Sequence, residues 1–372
     1  MSMFRSARWM LFPLKTPVAT VGLALLLGTP LVSGCAMIED MTGISLTTPA
    51  NPDAIVAEAM DKLKEGDLPG AMAEYTSLVE QNPDVVEAKI GLSYTQMLAG
   101  DFDGADSTLA KAIETKDLPP ETVAELTLRR ALVALRTGDV ENTQKYGEAS
   151  GLAAGQILAA EVYLADAEAD SARPLLEQAA SSGTGTVKAA AQSYLEALDD
   201  EESGRAQLAE ASALWALGRR AEACEAAEEL LRLLPPELES RDEMLLLWAG
   251  RAVTSGQAGG AEGLLDEMGQ APEGQAWRVQ ATRALIAVAN EDYDGARETL
   301  AALGSAGAPA DGLVDAIATA AAISNDSEFA REIGKGVESS AIARGLMAAG
   351  ADDAAKAAAP SSSMLARYLE NK

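Results

Sequence analysis

A pattern that repeats every 34 residues constrains the fold of this 372-residue chain more than any other feature. The segment EGDLPGAMAEYTSLVEQNP begins at Glu65 and AGDFDGADSTLAKAIE begins at Ala99, so Ala71 and Ala105 occupy equivalent places. Each segment has a Gly-Asp pair, then apolar residues at helical spacing. A glycine can take the left-handed conformation that ends a helix, and an alanine lets two helices approach closely. The repeat therefore predicts a fold built from similar helical units.

This unit resembles the tetratricopeptide repeat, in which helix A and helix B form a hairpin around a Gly-Asp turn. The resemblance implies an all-α fold, an α-solenoid of about six or seven hairpins, some of them degenerate. Runs of β-branched residues, which would predict strands, are almost absent. The glycine recurs at Gly138, Gly218 and Gly256, Glu291 replaces it in a sixth unit, and a weaker unit surrounds Ala172, with Pro174 in the first turn of its helix B.

The A helices of tetratricopeptide proteins line a concave groove that binds peptides or partner helices, so the resemblance implies a binding groove here. Alignment with this family gives six groove candidates in the first A helices, and no motif in the sequence predicts a cofactor. Sequence spacing does not separate groove residues from core residues, so each candidate taken alone also fits the core. The groove candidates are Ile90, Tyr94, Met97, Leu128, Leu132 and Leu135.

The N-terminal segment has the layout of a bacterial secretion signal: basic residues, then an apolar run, then small residues. Val32-Ser33-Gly34-Cys35 resembles the lipobox of bacterial lipoproteins. The resemblance implies cleavage before Cys35 and acylation of that cysteine, which anchors the protein stably in a membrane. The alternative is an uncleaved membrane-spanning helix over the uncharged stretch 16–34, although its glycines and prolines disfavour a permanent span. Ala36 follows the cysteine, which in enterobacterial sorting implies the outer membrane.

The chain is strongly acidic, with a formal net charge of −28. Residues 1–34 contain three basic and no acidic residues, so a chain cleaved before Cys35 would carry −31. Such a charge repels the phosphates of DNA and RNA and excludes nucleic acid as a partner. It favours envelope proteins with basic or apolar surfaces, and it predicts a groove of negative or neutral charge.

No catalytic or metal-binding pattern is present in the sequence. There is no histidine, which removes the commonest general base and the commonest metal ligand. Cys224 lies in the helical pattern RRAEACEAAEELLRLL, where a small buried residue is a better interpretation than a nucleophile. The alternating oxygen ligands of a calcium loop are missing. The sequence therefore predicts neither an enzyme nor a metal site.

The signal-like N-terminus, the repeats and the loop-like stretches between them divide the chain into six predicted segments. They are a cleaved signal peptide (1–34), a lipidated cysteine and tether (35–52), an N-terminal repeat block (53–146), degenerate helical hairpins (147–203), a C-terminal repeat block (204–309) and capping helices (310–372). The resulting hypothesis is a periplasm-facing lipoprotein that acts as a scaffold in an envelope assembly or secretion complex of the pilus, secretin or outer-membrane assembly type. Anchoring in the inner membrane is the alternative to anchoring in the outer membrane. The alternative is an accessory subunit of a peptidoglycan or exopolysaccharide enzyme complex.

Overall fold

The described part of the chain is built from helices only. The structure is a computed structural model that describes residues 54–65, 67–200, 204–234, 238, 241–268 and 270–360. Nineteen helices and no strand occur within these ranges, which confirms the predicted all-α class. The helices are α1 (Ala54–Lys64), α2 (Leu68–Gln81), α3 (Val86–Leu98), α4 (Phe102–Ile113), α5 (Pro120–Thr137), α6 (Val140–Ser150), α7 (Ala153–Ala165), α8 (Ala169–Ser182), α9 (Gly185–Leu198), α10 (Arg205–Ala216), α11 (Arg220–Leu233), α12 (Arg241–Thr254), α13 (Ala258–Glu267), α14 (Ala276–Ala289), α15 (Tyr293–Ala302), α16 (Ala310–Ile323), α17 (Ser327–Ile333), α18 (Ser340–Ala348) and α19 (Asp352–Ala358).

Fourteen of these helices form seven hairpins, four before and three after helix α9, as expected for an α-solenoid. We call the first helix of each hairpin an A helix and the second a B helix. Each B helix packs on its own A helix and on the helix that follows it. The four helices α16–α19 close the C-terminal end of the described part, with α16 packed on α18 and α18 on α19. The A helices are α1, α3, α5, α7, α10, α12 and α14, and the B helices are α2, α4, α6, α8, α11, α13 and α15.

The hairpin turns have the geometry that the repeat predicts. The φ angles of Gly100, Gly138, Gly218 and Gly256 are all positive, between 73° and 85°. Glu291 takes the glycine position of its hairpin with a φ of 61°. The small residues expected at the contact of helix A with helix B are fully buried; they are Ala71, Ala105, Ala172, Ala223, Ala261 and Ala296.

An aspartate caps helix B in four of the hairpins. Its carboxylate accepts a hydrogen bond from a backbone N–H of the first turn, for example from Gly104 to Asp101 at 3.0 Å and from Gly295 to Asp292 at 3.0 Å. Asp67 and Asp139 cap α2 and α6 in the same way. Such a cap satisfies one of the otherwise unpaired N–H groups at the start of a helix. The Gly-Asp pairs therefore end one helix and start the next. Gly66, the glycine of the first pair, lies outside the described residues.

The regular alternation of A and B helices breaks at α9. This helix packs on α8 and also touches α7 and α10, while α7 packs directly on α10. One core cluster joins all four helices, from Ala160 in α7 to Ala213 in α10. The predicted boundary at residue 203 thus falls between two helices that share a core. Pro174 is the sixth residue of α8 and not in its first turn, because α8 begins at Ala169, soon after the turn at Ala167.

The predicted membrane anchor is not part of the described fold. Cys35, the signal peptide and the tether lie outside the described residues. In the part of the chain that is described, no helix combines the length and the apolar character that crossing a bilayer requires.

Candidate binding site on the A-helix face

The A helices form the inner layer of the solenoid. Successive A helices pack against one another at α1 and α3, at α5 and α7, at α7 and α10, and at α12 and α14. In the described part, successive B helices have no comparable packing. In a curved stack of two layers, the layer with the closer spacing is the concave one. The solvent-exposed side of the A helices is therefore the concave face, and the B helices form the convex face.

Three of the six groove candidates are core residues, so the prediction that they line the groove is wrong. Tyr94 is 5% exposed and packs against Leu63 of α1 and Ala71 of α2. Leu128 and Leu132 are 0% and 5% exposed and form a small cluster with neighbours from α6 and α7. The spacing along an A helix is the same for both roles. The preceding or following hairpin buries these side chains, and the spacing of residues within one helix does not predict that contact.

The other three candidates are half-buried. Ile90 and Met97 pack at the edge of a core cluster that includes Leu109 of α4 and Val133 of α5. Leu135 lies near the end of α5. Their role in a groove stays a prediction.

Helix α12 presents a clear stripe on the concave face. Glu243, Leu247, Gly250 and Thr254 are half-buried, and their spacing of three or four residues places them on one side of the helix. A side chain added at Gly250 would meet no atom within 4 Å. The concave face is therefore open beside this glycine.

A buried polar pair lies where α7 meets α9. The hydroxyl of Tyr194 donates a hydrogen bond to Oε1 of Glu161 at 3.0 Å, and these residues are 3% and 8% exposed. Burial raises the pKa of Glu161 to about 8, although the hydrogen bond from Tyr194 acts in the opposite direction. Burial also raises the pKa of Tyr194 well above its ordinary value. Glu161 therefore carries a proton at neutral pH and does not supply a negative charge to its surroundings.

Arg251 of α12 is buried without a carboxylate partner among the described residues. It is 5% exposed, and its Nη1 donates to Oγ of Ser212 in α10 at 3.4 Å. Its guanidinium carbon lies 4.3 Å from the ring centroid of Trp248 and 5.3 Å from that of Trp215. Burial lowers the pKa of Arg251 to about 10, so the side chain stays charged at neutral pH. The two indole faces attract this charge but do not neutralise it.

A second arginine approaches Trp215 from the start of α11. The guanidinium carbon of Arg220 lies 5.7 Å from the ring centroid of Trp215. Burial and then the like charge of Arg136 lower the pKa of Arg220. The ring nitrogen Nε1 of Trp215, which is 1% exposed, has no hydrogen-bond partner among the described residues. We call Trp215, Arg220, Trp248 and Arg251 the arginine–tryptophan cluster.

The turn that precedes α11 differs from the aspartate-capped turns. Arg219 stands at the N-cap of α11 and makes no side-chain cap hydrogen bond. Its guanidinium instead pairs with Glu222, at 2.6 Å, and with Asp166, at 3.7 Å. The start of α11 therefore adds the positive end of a helix to the neighbouring Arg220.

The charges of the C-terminal hairpins divide between the two faces. The B helices α11, α13 and α15 contain nine acidic and three basic residues, whereas the A helices α10, α12 and α14 contain three acidic and five basic residues. The net charge of these whole A helices is positive, but Arg251 is buried and Arg241 pairs with Glu267 of α13 at 3.0 Å, so the negative or neutral charge of the groove stays a prediction. Acidic residues collect on the convex side, because the B helices meet solvent there along most of their length. The five basic residues are Arg205, Arg241, Arg251, Arg278 and Arg283.

The described residues hold no grouping that could perform metal chemistry, since no three metal-ligating side chains come together there. Cys224 is 3% exposed. Burial raises the pKa of its thiol, against the effect of a 3.5 Å hydrogen bond with Ser255. A thiol with a raised pKa is a poor nucleophile, so the expected role of Cys224 as a small core residue fits the structure.

Sequence reasoning did not find the arginine–tryptophan cluster, although two signals were present. Arg251 is a charged residue within the apolar run LLLWAGRAV of an A helix. Arg219 stands at the turn position that Asp67, Asp101 and Asp139 occupy in other units. At both positions the residue differs from the type that the other repeats have there, and both positions lie in or beside the cluster. Its assembly from three helices could not be read from spacing.

Comparison with known proteins identifies the first units. Residues 62–127 match the family model described as Tetratricopeptide repeat, which confirms the predicted repeats in that segment. Among solved structures, the chain is similar to a tetratricopeptide repeat protein from Parabacteroides merdae ATCC 43184, with 15% identity over 72% of this chain and 97% of that chain and a TM-score of 0.34. It is also similar to the P58(IPK) TPR domain, with 12% identity over 86% of this chain and 97% of that chain and a TM-score of 0.22. No curated protein matches the chain.

Proposed function

We propose that this protein is a lipid-anchored scaffold of the bacterial envelope, which holds partner proteins on the concave face of its solenoid. Tetratricopeptide repeats support a role in protein–protein interaction, and residues 62–127 match that family. The observation that carries the proposal is the concave stripe of α12, where Leu247 and the open space beside Gly250 face away from the B helices. The partners are envelope proteins in an assembly or secretion complex of the pilus, secretin or outer-membrane assembly type.

The anchoring part of the proposal rests on Val32-Ser33-Gly34-Cys35. Acyl chains on Cys35 would hold the protein on the periplasmic side of the outer membrane. The acidic B helices would keep its convex face away from anionic lipid and would attract partners with basic surfaces. Apolar contacts on the concave face would set the lifetime of the complex.

Capture of partners from detergent-solubilised envelope tests the binding part of this proposal. Leu247→Glu places a charge on the concave stripe of α12, and Leu233→Glu makes the same change on the convex side, where Leu233 is 76% exposed. We expect the concave variant to lose the envelope proteins that the unmodified chain captures, and the convex variant to retain them. Circular dichroism of both variants controls for unfolding. If both variants capture the same proteins as the parent chain, the concave face is not the binding surface.

The anchor has a separate test. Cys35→Ala should abolish labelling by a fatty-acid analogue and leave a precursor or a soluble periplasmic form. Equal labelling of the variant and the parent chain would contradict lipidation at this residue. Turnover of a cell-wall or glycan substrate by the purified chain, with no captured partner, would favour an enzymatic role over the scaffold.

A further inference from the structure

We propose that helix α9 is a pH-sensitive latch at the joint between the hairpins of α1–α8 and those of α10–α15. Protonated Glu161 holds α9 on the core, and loss of that proton releases the helix. This inference does not depend on the proposed scaffold function. It rests on the place of α9 in the stack, on the residues at its two ends and on the buried hydrogen bond from Tyr194 to Glu161.

The place of α9 allows it to detach by itself. It belongs to no hairpin, it packs on α8 and α10, and it touches α7. Its buried residues Tyr194, Ala197 and Leu198 complete a core cluster with α7, α8 and α10, whereas Lys188 and Glu196 on its other side are exposed. Because α7 and α10 also pack directly on each other, release of α9 would leave the row of A helices connected. Local opening of such an element does not require global unfolding.

The ends of α9 give it little stability of its own. Thr184 at the N-cap makes no side-chain hydrogen bond, and Gly185, the first residue, has a φ of 51°. Asp199 and Asp200 follow the last residue, where negative charge opposes the helix dipole. Asp199 pairs with Arg173 at 2.6 Å, but this contact lies at the surface and contributes little. Packing on the core must therefore supply most of the stability of α9.

A carboxyl group occupies a position of α7 at which the other A helices have an uncharged residue. Glu161 lies six positions before Ala167, the turn residue of its hairpin. The residues at the equivalent position of the other six hairpins are Met60, Tyr94, Leu132, Ser212, Gly250 and Leu285. An ionisable group at this position is therefore specific to the joint that α9 covers.

The hydroxyl of Tyr194 links this carboxyl to α9. It donates a hydrogen bond to Oε1 of Glu161 at 3.0 Å, and both residues are buried. A protonated carboxyl is neutral and fits this apolar joint. A carboxylate at the same place would be a buried charge without an ion-pair partner among the described residues, which is costly. Detachment of α9 would admit water to the carboxylate and remove that cost.

The groups around Glu161 do not offset its charge. Burial raises the pKa of Glu161 to about 8, against the effect of the Tyr194 hydroxyl. Arg251 of α12 acts on Tyr194, whose pKa it lowers against the larger effect of burial. Glu210 of α10 is a half-buried acid and adds no positive charge. The basic residues of the helices that pack on α7 have other partners or are exposed; they are Arg129, Arg130, Arg136, Lys145, Arg173, Lys188 and Arg205.

The direction of the switch follows from the two states of Glu161. Its pKa is about 8 when α9 covers it, and the ordinary value of 4.5 applies when water reaches it. Between these values the closed state holds a proton that the open state has released. The equilibrium constant for opening should therefore rise about tenfold per pH unit in this window and level off above it. Helix α9 is thus held most firmly in acid.

Hydrogen–deuterium exchange of the purified full chain in detergent tests this inference. Mass spectrometry at about pH 5.5 and about pH 7.5, two values inside the window, follows residues 185–198 of α9 and 241–254 of α12, with correction for the intrinsic exchange rate. We expect α9 to be less protected than α12 and to lose about a hundredfold of its protection between the two pH values. Low urea should leave the exchange of α9 nearly unchanged, because local opening exposes little surface.

Two variants assign the effect to Glu161. Glu161→Gln keeps an acceptor for Tyr194 and cannot ionise, so the protection of α9 should differ less than about twofold between the two pH values. Glu196→Gln is the matched control, because it removes an exposed carboxyl from α9 itself, and it should retain the full change. If Glu161→Gln does not fold, Glu161→Leu replaces it, since two other A helices have leucine at this position.

Three results would overturn the inference. They are protection of α9 equal to that of α12, a pH dependence that persists without the Glu161 carboxyl, and a loss of that dependence in Glu196→Gln. None of these measurements involves a partner protein. Capture of envelope proteins that depends on Leu247 therefore remains a separate result, and failure of the latch would leave the scaffold proposal in place.

Discussion

Ala167 is a residue whose backbone conformation does not suit its side chain. It takes the place of the turn glycine between α7 and α8 with a φ of 58°. An L-residue in this left-handed region is strained by roughly 1–2 kcal/mol. We therefore expect Ala167→Gly to raise the free energy of unfolding by about 0.5–1 kcal/mol, since part of the gain is offset by the entropy of the unfolded glycine.

Urea unfolding followed by circular dichroism measures this difference. Ala165→Gly is the matched control, because Ala165 is the last residue of α7 and has a helical backbone. The control should lose up to about 1 kcal/mol. A loss of stability with Ala167→Gly of the same size as in the control would show that this turn is not strained.

Glu161 gives the protein a dependence of stability on pH. Its pKa is about 8 in the folded chain against an ordinary value of 4.5. Between these pH values the folded chain holds a proton that the unfolded chain has released, so stability decreases as the pH rises through this window. Glu161→Gln keeps an acceptor for the Tyr194 hydroxyl and removes the titration.

The difference between Glu161→Gln and the parent chain should therefore be small near pH 4.5 and should grow towards pH 8. There the variant should be more stable by an amount on the order of a few kcal/mol. Denaturant unfolding at both pH values measures it. A constant difference across this range would mean that Glu161 titrates in the folded chain as it does in the unfolded one.

At the scale of the helix, α6 and α7 cross more closely than ordinary side chains allow. A Cβ atom on Gly147 of α6 would lie 2.6 Å from the backbone oxygen of Gly155 in α7. Gly147→Ala should therefore separate the two helices and lower the free energy of unfolding by about 1–3 kcal/mol, despite the better helix propensity of alanine. Thermal unfolding of the variant measures the change.

The control for this prediction is a helical glycine with open space around it. Gly250 of α12 is such a residue, and Gly250→Ala should raise stability by up to about 1 kcal/mol. If both alanine variants are stabilised, the close approach of α6 and α7 does not exist in solution.

The residues that recur in each repeat were sufficient to predict most of the fold. They did not predict the irregular helices or the contacts between hairpins. Gly100 and Ala105 predict a turn and a buried contact through properties of single residues, and both are found. Helix α9 has no such signal, because a lone helix between hairpins lacks the turn chemistry that marks a unit. Tyr94 and Leu132 were misassigned because burial depends on the neighbouring hairpin. Arg251 and Trp215 meet only after α10 and α12 have packed.

On the scale of the whole molecule, the two faces of the solenoid have different chemistry. The convex B helices of the C-terminal hairpins are acidic, whereas the A helices contain fewer acidic residues, and the concave stripe of α12 includes Leu247 and the open space beside Gly250. A scaffold with acidic convex helices would attract partners with basic surfaces. This attraction at the convex side should weaken with added salt.

Site-specific photo-crosslinking in the cell tests the central claim that the concave face holds a partner. The crosslinker is placed at Leu247 or Thr254 on the concave stripe of α12, and at Leu233 or Glu298 on the convex helices α11 and α15. The account predicts crosslinks to a defined envelope protein from the two concave positions and few from the convex ones. Crosslinks to that protein from Leu233 and Glu298, with none from Leu247 and Thr254, would contradict it.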